Sequence, residues 1–259
     1  MIDFTCFGVV GNLANHLAQA KEEEDFVDVK VDLNAPKGMF PIYSKNANNF
    51  LSRFCISKNE LIIDNDFVQI EPELCLTFKA SYDNDLLKDL QVTGFAAFND
   101  ASKRIKASLI SFKKNFSNAS KGIGNILPLN DLNDIKDYKI SSFLKRQGLI
   151  KAYGKTEYIK DYYYYGKRLI NWAINTINTQ TNVATLEDLR PFIKDKPENI
   201  LISIGATPYT EFGDENYLQV DDEIYVIIHN TTEEIALKSI ENNEFLPNSS
   251  ILHQIVKQA

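Results

Sequence analysis

The sequence predicts an α+β domain, mostly β, built on packed sheets. Runs rich in aromatic and β-branched residues recur along the chain, at 3–10, 91–99, 199–204 and 222–229. One stretch, 158–178, has a helical period, with Leu169, Ile170, Trp172, Ala173 and Ile177 at spacings of three and four. The strands outnumber the helices and are scattered among them, which suggests one domain with its helices at the periphery.

Residues 3–10 (DFTCFGVV) read as a strand, Gly11-Asn12 as a turn, and 13–24 as a helix of strong helix formers. Residues 29–58 hold extended pieces broken by Pro36, Gly38 and Pro41. The stretch 60–80 reads as two strands joined at Asp64-Asn65-Asp66. The basic segment 101–125, with Gly122 and Gly124, reads as a loop or short helix over a site. Tyr162–Tyr165 opens the helix of 158–178 and is expected at a domain or subunit surface. The tail 231–258 is expected to end in a helix with Ile251, Ile255 and Val256 on one side. The expectation is a single domain over 1–259, with a lead-in to 60, a core over 61–230 and a helical tail from 231.

Lys and Arg number 28 and Asp and Glu 35, a net charge of −7, which argues against a general nucleic-acid binder. A local cation can still hold a small anion. Cys6, Cys55 and Cys75 are odd in number and form no CxxC, so neither a disulfide framework nor a zinc ribbon is expected, and a reducing cytoplasm is the expected location. The start, Met-Ile-Asp-Phe-Thr-Cys, does not read as a signal peptide. No run approaches the roughly 18 apolar residues of a membrane span. Gly8-x-x-Gly11 lacks the third glycine of a dinucleotide loop.

The informative stretch is 70–77, Ile-Glu-Pro-Glu-Leu-Cys-Leu-Thr. Alternation puts Ile70, Pro72, Leu74 and Leu76 on an apolar face and Glu71, Glu73, Cys75 and Thr77 on the other. The ordinary reading of the second face is a solvated one. Pro72 removes a ladder donor, so the strand is expected at an edge or a bulge. The apolar strand 94–99 ends abruptly in Asp100, from where a carboxylate can reach the same site. Three carboxylates without His or Cys make a hard, all-oxygen set suited to Mg²⁺, Mn²⁺ or Ca²⁺ and not to Zn²⁺.

Five segments then share an order with a known family. They are Gly11-Asn-Leu-Ala-Asn-His16-Leu, Glu71-Pro-Glu73-Leu, and Gly94-Phe-Ala-Ala-Phe-Asn-Asp100-Ala-Ser102-Lys-Arg104. Ser120-Lys121-Gly122 with Leu127-Pro128, and Ile204-Gly205-Ala206-Thr207-Pro208 followed by Val220-Asp-Asp-Glu-Ile224, complete the set. In that order the chain resembles the fumarylacetoacetate hydrolase family, and the likeness runs from about residue 6 to 229. The resemblance implies a mixed β-sandwich roll with peripheral helices, a homodimer, and a small-molecule 2-oxo acid as ligand, without nucleic acid or membrane.

It also implies roles. Glu71, Glu73 and Asp100 hold Mg²⁺ or Mn²⁺, which acts as a Lewis acid and stabilises an enolate as a carbon–carbon bond breaks. Lys121 adds positive charge near the developing oxyanion, although by position alone it reads as an exposed cation in a basic loop with Lys113 and Lys114. Arg104 and Thr207 contact substrate. His16 matches the histidine that activates water in hydrolytic members, but its helical partner is Gln19 where those members carry a glutamate. Gln19 can orient a water or the imidazole without raising its basicity. The expected function is an acylpyruvate-type hydrolase or an oxaloacetate-type decarboxylase. The alternatives are an isomerase or hydratase of the same fold, and a non-catalytic member that binds a small carboxylic acid or metal.

Overall fold

The computed structural model describes residues 4–13, 19, 23–32, 34–64, 67–244 and 246–259. Its strands are β1 (Thr5–Val10), β2 (Gly38–Tyr43), β3 (Ile56–Ser57), β4 (Glu60–Ile63), β5 (Val68–Gln69), β6 (Pro72–Asp83), β7 (Leu86–Asn99), β8 (Ser102–Lys103), β9 (Lys121–Ile123), β10 (Leu127–Pro128), β11 (Lys139–Arg146), β12 (Leu149–Ala152), β13 (Glu157–Tyr158), β14 (Asn199–Ser203), β15 (Glu223–His229) and β16 (Ser250–Gln258). The helices are α1 (Ile110–Lys114), α2 (Gly166–Thr179), α3 (Glu211–Glu215) and α4 (Glu233–Glu241).

A large sheet runs β2-β1-β14-β6-β7-β9-β3, with β10 also on β7. A second runs β12-β11-β15-β16-β4, with β13 on β11, and β5 pairs with β8. The hairpin β6–β7 is the spine of the large sheet. Asn84, at φ 54°, makes its turn, a left-handed conformation that asparagine tolerates. Its register sets Pro72 opposite Asn99 and Glu73 opposite Phe98.

Alternation then sorts the side chains. Leu74, Leu76, Phe95 and Ala97 join Ile140, Leu144, Ile224, Val226 and Leu252 of the second sheet in the main core. Cys75, Ala96 and Phe98 point the other way, into a second cluster with Phe40, Ile42 and Ile123. The large sheet is therefore covered on both faces here, and Glu71 and Glu73 alternate onto the side away from the second sheet.

The structure departs from the sequence reading in four places. The strand bearing Pro72 is not an edge but lies between β14 and β7, and its bulges fall later, at Thr77/Phe78 and Ser81/Tyr82; Pro72 is tolerated because it is the first residue of β6, and its carbonyl still accepts the Thr207 amide at 3.0 Å. The tail does not end in a helix. Residues 250–258 form β16, in the middle of the second sheet, and the helix lies earlier at 233–241, N-capped by Thr232, whose hydroxyl accepts from the Ile235 amide. The helix expected from 158 begins at Gly166. Tyr162 is buried, its hydroxyl donating to Gly205 O at 2.6 Å, and Tyr165 donates to Leu132 O at 2.5 Å, so these tyrosines tie loops to the core.

Most of the expected helix at 13–24 lies outside the described residues, as does His16; residues 23–26 form a 3-10 turn. No helix among the described residues is long and apolar enough to cross a membrane.

Candidate functional site

The start of β6 and the end of β7 meet, and so Glu71, Glu73 and Asp100 converge. One ligand oxygen from each lies within 4.8 Å of the others, and all three residues are buried. Backbone bonds fix the pairing: the Asp100 amide donates to Glu71 O at 3.0 Å, and the Glu71 amide to Asn99 Oδ1 at 3.2 Å. The Gly205 amide donates to Glu73 Oε2 at 2.9 Å. Gly205 has φ +113°, which L side chains rarely adopt, and an added Cβ would lie 3.2 Å from Asn12 Cβ. Burial, then the neighbouring Asp100 carboxylate, hold the Glu73 carboxyl well above the usual carboxylate range, against the pull of Lys114.

Three cations face these acids. Lys121 Nζ lies 3.0 Å from Asp100 Oδ1 and donates to Ala101 O at 2.5 Å. Burial lowers its pKa, opposed by Asp100. Arg104 Nη1 lies 3.0 Å from Glu71 Oε1, while its Nε donates to Gln69 Oε1 at 2.7 Å and its Nη2 to Tyr209 Oη at 2.5 Å. Lys114 Nζ donates to Glu71 Oε2 at 2.5 Å, to Asp100 Oδ2 at 2.6 Å and to Asp100 O at 3.2 Å.

The exposed basic loop is thus overturned. Lys121 is 0% exposed and Lys113 and Lys114 are 2% each, with Lys113 paired to Asp25 at 2.9 Å. Charged groups go this deep only when paired, and here three acids face three bases. The sequence reading missed Lys114 as a member. A trace of it was present: Ile110 and Lys114 are four apart on α1, and a helix places such residues on one face.

The remaining site residues are arranged differently. Both ends of the Gln19 carboxamide meet the Tyr209 backbone, Oε1 accepting from its amide at 2.8 Å and Nε2 donating to its carbonyl at 3.3 Å. Tyr209 Oη also donates to Ile70 O at 2.9 Å, so Gln19 connects through Tyr209 and Arg104 to Glu71. Thr207 is fully buried and its hydroxyl has no hydrogen-bond partner among the described residues. It lies beside Gly154, where an added Cβ would come within 2.6 Å of Thr207 Oγ1 and 2.7 Å of Ser142 Oγ. Cys75 shares the face of Glu73, and burial followed by the Glu73 charge pushes its thiol far up, away from a thiolate ligand.

A second layer supports the strand end beside Asp100. Gln254 Oε1 on β16 accepts from Asn99 Nδ2 at 3.0 Å, and its Nε2 donates to Glu60 O at 2.7 Å and Lys121 O at 3.2 Å. The second sheet thereby reaches the strand end that carries Asp100.

The model of a family of unknown function (DUF5718) matches residues 22–256. No curated protein matches the chain in sequence. Among solved structures, Cg1458 with an inhibitor is similar at TM-score 0.62 and 16% identity, over 100% of this chain and 78% of that one. 2-Keto-3-deoxy-D-arabinonate dehydratase, complexed with magnesium and 2,5-dioxopentanoate, is similar at TM-score 0.60 and 13% identity, over 100% and 74%. Fumarylacetoacetate hydrolase from psychrophilic Exiguobacterium antarcticum is similar at TM-score 0.53 and 14% identity, over 99% and 76%. The fold is that of the fumarylacetoacetate hydrolase-like proteins, and its bearers include a dehydratase complexed with magnesium and a hydrolase.

Proposed function

We propose that this chain, which belongs to the DUF5718 family of unknown function, is a divalent-metal-dependent enzyme acting on a small 2-oxo acid. The reaction we favour cleaves a carbon–carbon bond, by decarboxylation of an oxaloacetate-type acid or hydrolysis of an acylpyruvate. The observation that carries the reading is the buried convergence of Glu71, Glu73 and Asp100.

The all-oxygen set fits a hard divalent ion such as Mg²⁺ or Mn²⁺, and these three side chains would hold it. When bound, the ion would polarise a carbonyl and the carboxylate beside it. The rest falls to the chain. Lys121 sets its amine beside Asp100 in a dry site, where a positive charge acts most strongly on a developing oxyanion. Arg104, spent on Glu71, Tyr209 and Gln69, orients the Glu71 carboxylate. The unpartnered Thr207 hydroxyl is a ready donor for a bound ligand.

Gln19 engages Tyr209 with both polar atoms and so helps to position the 205–209 loop, and it does not raise the basicity of His16 as a carboxylate would. That favours decarboxylation, or the dehydration and isomerisation chemistry open to the same fold, over water-dependent hydrolysis with His16 as base. A homodimer is expected on the resemblance alone.

The test is a thermal-shift titration with oxalate, a mimic of the pyruvate enolate, with and without Mg²⁺ or Mn²⁺. Oxalate should raise Tm only when metal is present, and Glu73→Ala should abolish the rise. Oxaloacetate, acylpyruvates and 3-deoxy-2-oxo acids would then be screened. If neither metal nor oxalate moves the transition, the enzyme reading fails and the non-catalytic alternative replaces it.

A further inference from the structure

Lys114 has no counterpart among the motif residues that carry the family resemblance, yet it makes the closest contacts to the acid cluster. Its ammonium is 2.5 Å from Glu71 Oε2 and 2.6 Å from Asp100 Oδ2, and it lies over the Phe40 ring, 5.5 Å from the centroid. Those two oxygens belong to the carboxylates that would grip a metal. An ion bound to them at the ~2.1 Å of a Mg²⁺–oxygen bond would lie within about 5 Å of the ammonium nitrogen. The two shared oxygens alone would stand between the cations, and each would have to serve both. Arg104, Lys114 and Lys121 already stand against Glu71, Glu73 and Asp100. A divalent ion added to this set would bring two uncompensated charges into a dry interior, which is strongly unfavourable.

We infer that Lys114 is a tethered cation that fills the carboxylate site of the metal-free protein, and that a divalent ion binds only as the Lys114 side chain leaves. The inference rests on reading Glu71, Glu73 and Asp100 as metal ligands. It assigns Lys114 a positioning and competing role, not a catalytic one. The ammonium keeps the acids paired and folded without metal, and it sets a threshold of metal concentration below which the site stays closed to a 2-oxo acid. Lys114 ends α1, whose other terminal lysine, Lys113, is paired with Asp25. Displacement therefore needs only the Lys114 side chain to swing while the helix remains anchored.

The experiment compares wild type with Lys114→Met by calorimetric titration with Mn²⁺ and, separately, Mg²⁺. Methionine keeps most of the apolar stem and removes the charge. The expected result is at least a tenfold lower Kd for Mn²⁺ in K114M. In parallel, wild-type lysines are labelled by reductive methylation with and without saturating Mn²⁺ and read by peptide mass spectrometry, a measurement that stands even if K114M fails to fold. Lys114 should resist labelling without metal and become several-fold more reactive with it.

Equal Kd values together with metal-independent labelling would overturn the inference and leave the metal-enzyme reading intact. Binding by K114M but not by wild type would uphold it and overturn the metal-dependent reading of the native protein. If K114M is folded and neither protein binds metal, both fall. If K114M does not fold, unchanged labelling of Lys114 at saturating Mn²⁺ overturns the inference alone.

Discussion

Gln254 shows how much can rest on one side chain. Its carboxamide bridges Asn99, Glu60 and Lys121, and Asn99 in turn accepts the Glu71 amide. Gln254→Leu strands these buried partners, so urea unfolding should show a loss of about 2–4 kcal/mol. His229 gives a pH signature. Burial, then Lys139, lowers its pKa from 6.5 to about 4. The Thr231 amide donates to Nδ1 at 3.3 Å, which leaves Nε2 as the proton carrier toward Ser141 Oγ at 2.8 Å. Between pH 6.5 and about 4 the unfolded chain takes a proton that the folded one refuses, so stability is full above this window and falls as the pH drops through it. His229→Gln should flatten that part of a Tm–pH curve. At this scale the acids were legible, because strand alternation and an abrupt strand end are local patterns. Lys114 was not, since a lysine next to another lysine on a five-residue helix looks solvated until its partners on β6 and β7 are brought to it.

At the scale of elements, the contact between β9 and β16 depends on missing side chains. A Cβ on Gly124 would lie 2.6 Å from Ile251 O, and one on Gly122 would lie 2.3 Å from Gln254 Oε1. The first clash is with backbone and cannot be relieved by a rotamer change. Gly124→Ala should therefore destabilise by about 1–3 kcal/mol in urea melts, while Gly148→Ala, with nothing within 4 Å of its Cβ but φ +82°, should show only the smaller cost of its conformation. The same strand explains the misread tail. Ile251 and Ile255 are four apart, a spacing that fits both a helix face and every second pair of a strand, and only pairing with β15 and β4 decides. The long runs around 91–99 and 222–229 were legible because dense β-branched and aromatic residues leave little competition from helix.

Across the whole molecule, three strand pairings among the described residues are parallel: β3 on β9 and, across the longest separations, β1 on β14 and β4 on β16. The hydrogen bonds beside them join residues 192 positions apart (Asn12 to Ile204) and 194 apart (Gln254 to Glu60). No local pattern announces such pairings, which is why the order of strands could be expected only through the family resemblance. They also have a kinetic cost. Loops of that length must close before their contacts reward them, so refolding should be slow for the chain's size. Trp172 fluorescence after dilution from urea would record this as a phase of seconds or longer; complete recovery within milliseconds would contradict it. The hairpin β6–β7 is the opposite case, since Pro72 and Asn99 meet through a single turn. The acids can therefore gather early, while Gly205 and Gln254, which hold Glu73 and Asn99, arrive from far along the chain. For that interval three like charges stand together without their cover, so folding itself would be sensitive to salt and to divalent cations before any catalysis takes place.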